Sequence, residues 1–495
     1  MIAFGRTGQA VARSNASPPR KRALPAAIGA ALFAFAANPA AAAGTAGPLG
    51  ADLPAWSAVP FLGILVSMAA LPLAARRFWH RHYGKVAAAW ALAAVVPFVA
   101  VWGRPAADEV VRMAVADYLP FLILIGALFT IGGGILVRGT PRGTPAVNTA
   151  IIAAGTALAS WIGTTGAAVL FIRPLLRANR GRWRVAHTVV FFIFLVANIG
   201  GALTPLGDPP LFLGFLQGVP FFWTLGLWKE FLLVAGLTLA AYLAVELRQW
   251  RLEDPEVRAR GTAAREKLRV EGWHNLLFLA GVLAAVIASG VWHAGTVRVL
   301  GASREVSGLL RDAFLLLMAS ASWVTTSPRT REENAHTWRP IREVAILFAA
   351  IFATILPPLL MLRAGSGGAL APLLRTVRGP GGYFWMTGAL SSFLDNAPTY
   401  LAFLSAAVGS LLPGVPGREA VSRLVAEHGV YLRAIATGAV FMGANTYIGN
   451  APNLIVRSMA EDAGVEMPSL VGYTVRYAVP FLVPVFLLAT WVFFL

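Results

Sequence analysis

A helical run fit for lipid, HTVVFFIFLV at 187–196, leads straight into ANIGGALTPLGDPPL at 197–211, where glycines, prolines, Asn198, Thr204 and Asp208 stand where the helix should continue. A helix broken at membrane depth frees backbone amides and carbonyls, and these are tolerated only where they line a protein-buried or watery cavity. The second half of the chain carries a counterpart, GANTYIGNAPNLI at 443–455, which again follows an apolar helix. Two such breaks, one in each half, point to one binding cavity built from both.

The solvent for this chain is lipid. Hydrophobic residues make up 57% of it and charged residues only 13%, more apolar surface than water tolerates. The formal charge of +18 sits in short loops between apolar runs, not on a continuous basic face with interleaved aromatics, which argues against a nucleic-acid partner. There is no cysteine, so disulfides, thiolate metal sites and cysteine nucleophiles are excluded. The histidines fall in loops or at span ends without HExxH spacing and read as solvated or interfacial.

At the N-terminus, Arg20-Lys21-Arg22 precedes ALPAAIGAALFAFAA and the small residues near Ala40–Gly44, so residues 1–44 read as a signal peptide or a retained first helix. Apolar runs of spanning length follow at about 53–75, 86–103, 117–137, 186–217, 223–247, 273–292, 312–327, 342–362, 431–461 and 469–495. Two further stretches, about 146–177 and 381–412, are interrupted midway by WIGTTGAA (161–168) and FLDNAPTY (393–400) and read as re-entrant hairpins. Arginine and lysine concentrate in the loops at 76–85, 138–142, 173–184, 248–269 and 329–342, which assigns these to the cytoplasm of a multi-pass protein of a bacterial-type inner membrane. The fold class is thus an all-α polytopic membrane protein. Its halves, 53–247 and 273–495, are inverted repeats, each with a hairpin and a broken helix, joined by a charged cytoplasmic linker at 248–272. After Pro255 the linker reads as a solvated surface helix, and the amphipathic stretch 297–311 as one lying flat at the interface.

The segments SSFLDNAPTYLAFL, ANIGGALTPLGDPPLF and GANTYIGNAPNLIV, in hairpin and broken-helix order, resemble the ion transporter superfamily of NhaD-type sodium:proton antiporters, arsenite permeases and citrate or dicarboxylate carriers. Within it, the resemblance is nearest to the group of sodium:proton antiporters and citrate transporter-like proteins, and it covers residues 55–495. It implies a homodimer whose protomers divide into a scaffold domain and a mobile transport domain that holds the site. The carboxylate carriers of that superfamily place a Ser-Asn-Thr type tip on both hairpins. Here the tips are Gly163-Thr164-Thr165-Gly166 and Asp395-Asn396-Ala397-Pro398-Thr399.

A hard monovalent cation takes oxygen ligands, and Thr164, Thr165, Asn198, Thr204, Asn396, Thr399, Asn445, Thr446 and Asn450 supply them around the tips and breaks. Asp208 and Asp395 add carboxylates, which are costly in the membrane interior unless paired, liganding or protonated. With Asn396 they form the expected Na+ ligands. Each aspartate is equally a natural helix N-cap. The expected activity is Na+ (or Li+)/H+ antiport, with Na+ and H+ as the transported or coupling ions and no cofactor. The alternatives are Na+- or H+-coupled transport of citrate or another dicarboxylate or tricarboxylate, then an arsenite-type permease. An enzyme would need a nucleophile-base pair or a metal cluster within the membrane, and neither is visible.

Overall fold

The computed structural model describes residues 49–262, 266–292, 294–334 and 336–495. The targeting segment expected over residues 1–44 lies outside the described residues.

The chain is built of helices, with seven of them long and apolar enough to cross a membrane among the described residues. Helix α1 (Val59–Ala74) is followed by α2 (Arg76–Arg112), a π-helical turn at Met113–Tyr118, and α3 (Leu119–Gly132). From Arg76 to Gly132 that makes 57 residues of continuous helical assignment. Such a length would span roughly 85 Å if straight, against a hydrocarbon core of about 30 Å. The chain instead turns at Gly103, whose φ of 60° and ψ of −136° are open to glycine and strained for other residues.

The first interrupted stretch forms two helices, α4 (Pro145–Ile162) and α5 (Thr164–Ala178), joined at Gly163. The broken segment follows as α6 (Ala186–Leu195), an irregular stretch with one 3-10 turn at Ile199–Gly201, and α7 (Pro209–Gln217). Helix α8 (Trp228–Arg251) leads to the short α9 (Pro255–Thr262). The second half runs α10 (Asn275–Val291), α11 (Val306–Thr325), α12 (Pro328–Glu333), α13 (Arg339–Arg363), α14 (Gly379–Ser391), α15 (Asn396–Leu411), α16 (Gly417–Glu427), α17 (Gly429–Met442), α18 (Ala451–Asp462) and α19 (Leu470–Phe493).

Four short strands correct the sequence reading. Strand β1 (Leu136–Arg138) pairs antiparallel with β2 (Arg269–Glu271), so the linker beyond α9 is tied to the first half and is not helical throughout. Strands β3 (Thr296–Val299) and β4 (Ala302–Glu305) form a hairpin where a flat-lying helix was expected. Its two-residue loop, Leu300-Gly301, has φ of 51° and 85°, the left-handed pair that a tight hairpin turn requires. The histidine expectation also fails at one position. His187 is buried, and its Nε2 lies 2.6 Å from Glu246 Oε2.

Packing between the halves is crossed. Helix α7, beyond the first break, lies against α15 of the second interrupted stretch, and α18, beyond the second break, lies against α5 of the first. This puts the beginnings of α5, α7, α15 and α18 into one buried region. Glu230, fully buried in α8, adds a further tie across the halves through Arg433 Nη1 at 2.8 Å.

Candidate ion-binding site

The site grows from two sequence stretches that build alike. In the first half, Ser160 at the end of α4 donates from Oγ to Gly200 O at 2.5 Å and accepts from Leu203 N at 2.9 Å. Thr204 donates to Ser160 O and accepts from Leu206 N. In the second half, Ser392 Oγ has Gly388 O at 2.8 Å and Met442 O at 3.1 Å as acceptors for its one proton and accepts from Asn445 Nδ2 at 2.9 Å. Thr446 donates to Ser392 O at 2.5 Å and accepts from Ile448 N at 3.2 Å. Each serine-threonine pair thus ties the tip of an interrupted stretch to its neighbouring break and satisfies backbone groups that the lost helix would have paired.

Close approach of backbone to backbone explains the glycines. A Cβ on Gly207 would stand 2.1 Å from Gly201 O, and one on Gly449 would stand 2.6 Å from Gly443 O, so each break folds back upon itself where only glycine fits. The next residue in each half is the N-cap of the helix that resumes: Asp208 for α7 (φ −145°, ψ 144°) and Asn450 for α18 (φ −151°, ψ 140°). The structural partner of Asp208 is therefore Asn450. The partner of Asp395, the N-cap of α15, is Gly163, whose φ of 80° begins α5.

Residues at or next to three of these positions, Thr164, Asn396 and Asn450, meet on the carboxylate of the fourth, Asp208, which is 1% exposed. Oδ1 accepts from Thr164 Oγ1 at 2.9 Å and from Asn450 Nδ2 at 3.2 Å, and Oδ2 accepts from Asn396 Nδ2. One donor comes from each of α5, α15 and the second break. Among the described residues no arginine, lysine or histidine is bonded to this carboxylate. A charge at membrane depth costs about 2.5–3.5 kcal/mol or more. Hydrogen bonds to a charged group return about 1.5–3 kcal/mol each, and helix N-termini favour the negative charge further. The neutral donors thus offset part of the cost of a charge at Asp208, and a cation or a proton would remove the rest.

Three amide oxygens of the tips and breaks, of the type that suits a cation, stand unused. Asn198 Oδ1, Asn396 Oδ1 and Asn445 Oδ1 are buried without a hydrogen-bond partner. Asn396 is bonded to Asp208 directly, and Asn445 is held by Ser392. Asn198 is fixed by donation to Ile193 O at 2.8 Å and to Asn453 Oδ1 at 2.7 Å. Asn453 itself donates to Gly443 O and Thr446 O, bracing the second break. Leaving a buried acceptor unpaired costs about 1–3 kcal/mol, so three of them suit the binding of a hard cation. The small cavity beside Gly163, Thr164, Thr165 and Asp208 measures about 80 Å³. Its remaining walls are mostly apolar and do not include Asn198, Asn396 or Asn445, and its volume is far below the about 300–1,000 Å³ of organic-ligand sites.

Not every expected ligand comes to this point. Thr204 and Thr446 have their hydroxyls committed to serine carbonyls, and Thr399 Oγ1 donates to Asp395 O at 3.0 Å. Thr165 borders the small cavity half-buried. Asp395 Oδ1 accepts from Ala397 N at 3.1 Å, and its carboxylate is bonded to none of the groups that hold Asp208. Its place is that of a cap. Asp395→Asn is accordingly expected to retain cation-driven proton movement, while Asp395→Ala lowers stability by about 0.5–2 kcal/mol; transport and unfolding measurements on the two variants check this. Ser160, Ser392 and Asn453 were not expected at the site from the sequence, although SWIGTT and SFLDNA carry the two serines at matching offsets.

Residues 50–494 match the protein family described as "Putative citrate transport". An uncharacterized transporter of Mycobacterium tuberculosis is 26% identical over 369 residues, 70% of this chain and 77% of that protein. A 46 kDa membrane protein of Mycobacterium leprae is 25% identical over 328 residues, 64% of this chain and 69% of that one. These names describe transport and membrane residence and no enzymatic reaction.

Proposed function

Because the chain belongs to the "Putative citrate transport" family, we propose that it is a secondary active transporter in which Asp208 binds a proton and a monovalent cation, Na+ or Li+, in turn. The observation that carries this reading is the buried Asp208 carboxylate, held by neutral donors from three other elements, with unpaired amide oxygens in its surroundings. Either partner neutralises the same charge, so each displaces the other, and that competition couples their fluxes. A drop in pH should weaken the apparent cation affinity for the same reason. The halves are read as inverted repeats, with α4, α5, α6, α7, α14, α15, α17 and α18 as the moving body and the spans around α1 and α10 as the dimer scaffold. Alternating exposure of a midplane site at paired broken helices fits that arrangement.

The second reading is cation-coupled carboxylate transport, favoured by the family's description and by the four helix N-termini gathered at the site, which suit an anion once Asp208 is neutralised. Purified protein in proteoliposomes with a trapped pH dye separates the two. Na+ or Li+ gradients that move protons without citrate support exchange. Proton or Na+ movement that occurs only with citrate present establishes the second reading in its place.

Orientation has its own test in this cysteine-free chain. With an impermeant thiol reagent applied outside spheroplasts, Glu419→Cys should label and Lys267→Cys should not. The reverse pattern would invert the assigned topology.

A further inference from the structure

Helix α7 joins two very different spaces. Its first turn lies at Asp208, and its last residues, Phe215, Leu216 and Gln217, wall a cavity of about 750 Å³. Nine residues of helix, about 13 Å, separate the two. The large cavity opens beside the β3–β4 hairpin, at the end of α10 remote from β2, the face that the arginine and lysine bias assigns to the outside.

Five arginines line it: Arg112, Arg304, Arg311, Arg363 and Arg418. Against them stand the lining carboxylates Glu109, Asp117 and Glu305. Arg112 pairs with Glu109 at 2.7 Å and with Asp117 at 3.5 Å. Arg418 pairs with Glu305, and Arg304 and Arg311 share the single carboxylate of Asp312, each at 2.7 Å. Arg363 is the guanidinium without a carboxylate in ion-pair contact among the described residues. Its Nε donates to Ser405 Oγ at 3.3 Å and its Nη2 to Gln217 Oε1 at 3.0 Å, both neutral. The walls thus carry more positive than negative charge, and half-buried Arg363 reaches a carboxylate only through neutral Gln217, whose Nε2 donates to Asp117 Oδ1 at 2.8 Å.

We propose that this cavity is a second ligand site, distinct from the cation site at Asp208, that binds a multivalent organic carboxylate with Arg363 as its anchor. A guanidinium fork fits a carboxylate in two parallel hydrogen bonds, and several arginines spread around one wall suit a ligand with more than one carboxylate. The volume lies within the range of small-molecule sites, which the space at Asp208 does not. The ligand would sit between α7 and α16 on one side and α2, β4, α11 and α13 on the other. It would bridge elements that Arg363–Gln217 and Arg418–Glu305 already join.

The site rests on this cavity alone and does not depend on which ion Asp208 exchanges. The test is the thermal unfolding of the detergent-solubilised full chain titrated with citrate, sulfate or acetate at fixed Na+ and ionic strength. Citrate should stabilise the wild type saturably and more strongly than sulfate or acetate. Asp208→Asn should keep that response. Arg363→Gln should weaken the apparent affinity for citrate by about 10- to 100-fold, the loss expected for a charged hydrogen-bonding partner, with partial recovery in Arg363→Lys. An undiminished response in Arg363→Gln overturns the proposal, as does citrate acting no better than sulfate. Loss of the response in Asp208→Asn would place the anion at the helix tips and overturn it equally. Should Arg363→Gln fail to fold, Arg418→Gln, at the exposed rim, carries the same comparison with the same outcomes.

Discussion

Replacing Asp208 by Asn should abolish cation-driven proton movement in proteoliposomes and leave the chain folded. The second half already carries an asparagine, Asn450, at the matching N-cap, with backbone angles within about ten degrees of those of Asp208, so the substitution fits the geometry. The asparagine keeps one oxygen for Thr164 or Asn396 and loses the charge, which is the one property on which the proposed cation binding and proton exchange rest. A neutral group also removes the burial cost of an ionised carboxylate, so unfolding should shift little in either direction. Exchange by Asp208→Asn at a rate near that of the wild type would exclude Asp208 as the exchanging group.

Glu246→Ala should destabilise the fold far more than Asp208→Asn or Asp395→Ala. Glu246, fully buried in α8, accepts from Arg182 Nη1 at 2.6 Å, lies 2.6 Å from His187 Nε2 and accepts from Asn148 Nδ2 at 2.9 Å. It thereby binds together α4, the turn after α5, α6 and α8. Truncation leaves the buried Arg182 with only the more distant Glu253 carboxylate, at 3.7 Å. Breaking a buried pair by removing one partner costs about 3–5 kcal/mol. Glu246→Gln, which keeps the size and one acceptor oxygen, should lose less. Equal unfolding midpoints for Glu246→Ala and the wild type would show that the cluster adds nothing to the hold between these helices.

Much of the molecule is legible in the residue pattern. Glycine and proline within apolar runs located both breaks, and the small polar centres at Gly163 and Asp395 located both interruptions, because a membrane helix cannot stop without such residues. The apolar runs at 53–75, 223–247, 312–327, 342–362 and 469–495 fall on helices long and apolar enough to cross a membrane, with boundaries that moved by several residues. The strands β2, β3 and β4 were hidden, since three or four residues of strand carry too little period to stand out beside an amphipathic helix. The burial of His187 was hidden for another reason: its partner, Glu246, lies 59 residues along the chain.

At the site the division is sharper. Sequence alone determined which residue types were present: two carboxylates, several amides and hydroxyls, and the glycines that let backbones touch. It could not tell the two aspartates apart, because both precede helices and both suit a cap. Tertiary structure gives the two different partners. The crossed packing of α7 on α15 and α18 on α5 brings Thr164, Asn396 and Asn450 to Asp208, over separations of 44, 188 and 242 residues, and leaves Asp395 bonded to its own helix. Local composition fixes where a membrane helix must break, since backbone hydrogen bonding is settled within a few residues. Which side chain then stands at the centre depends on contacts between distant segments, and those exist only once the halves have packed.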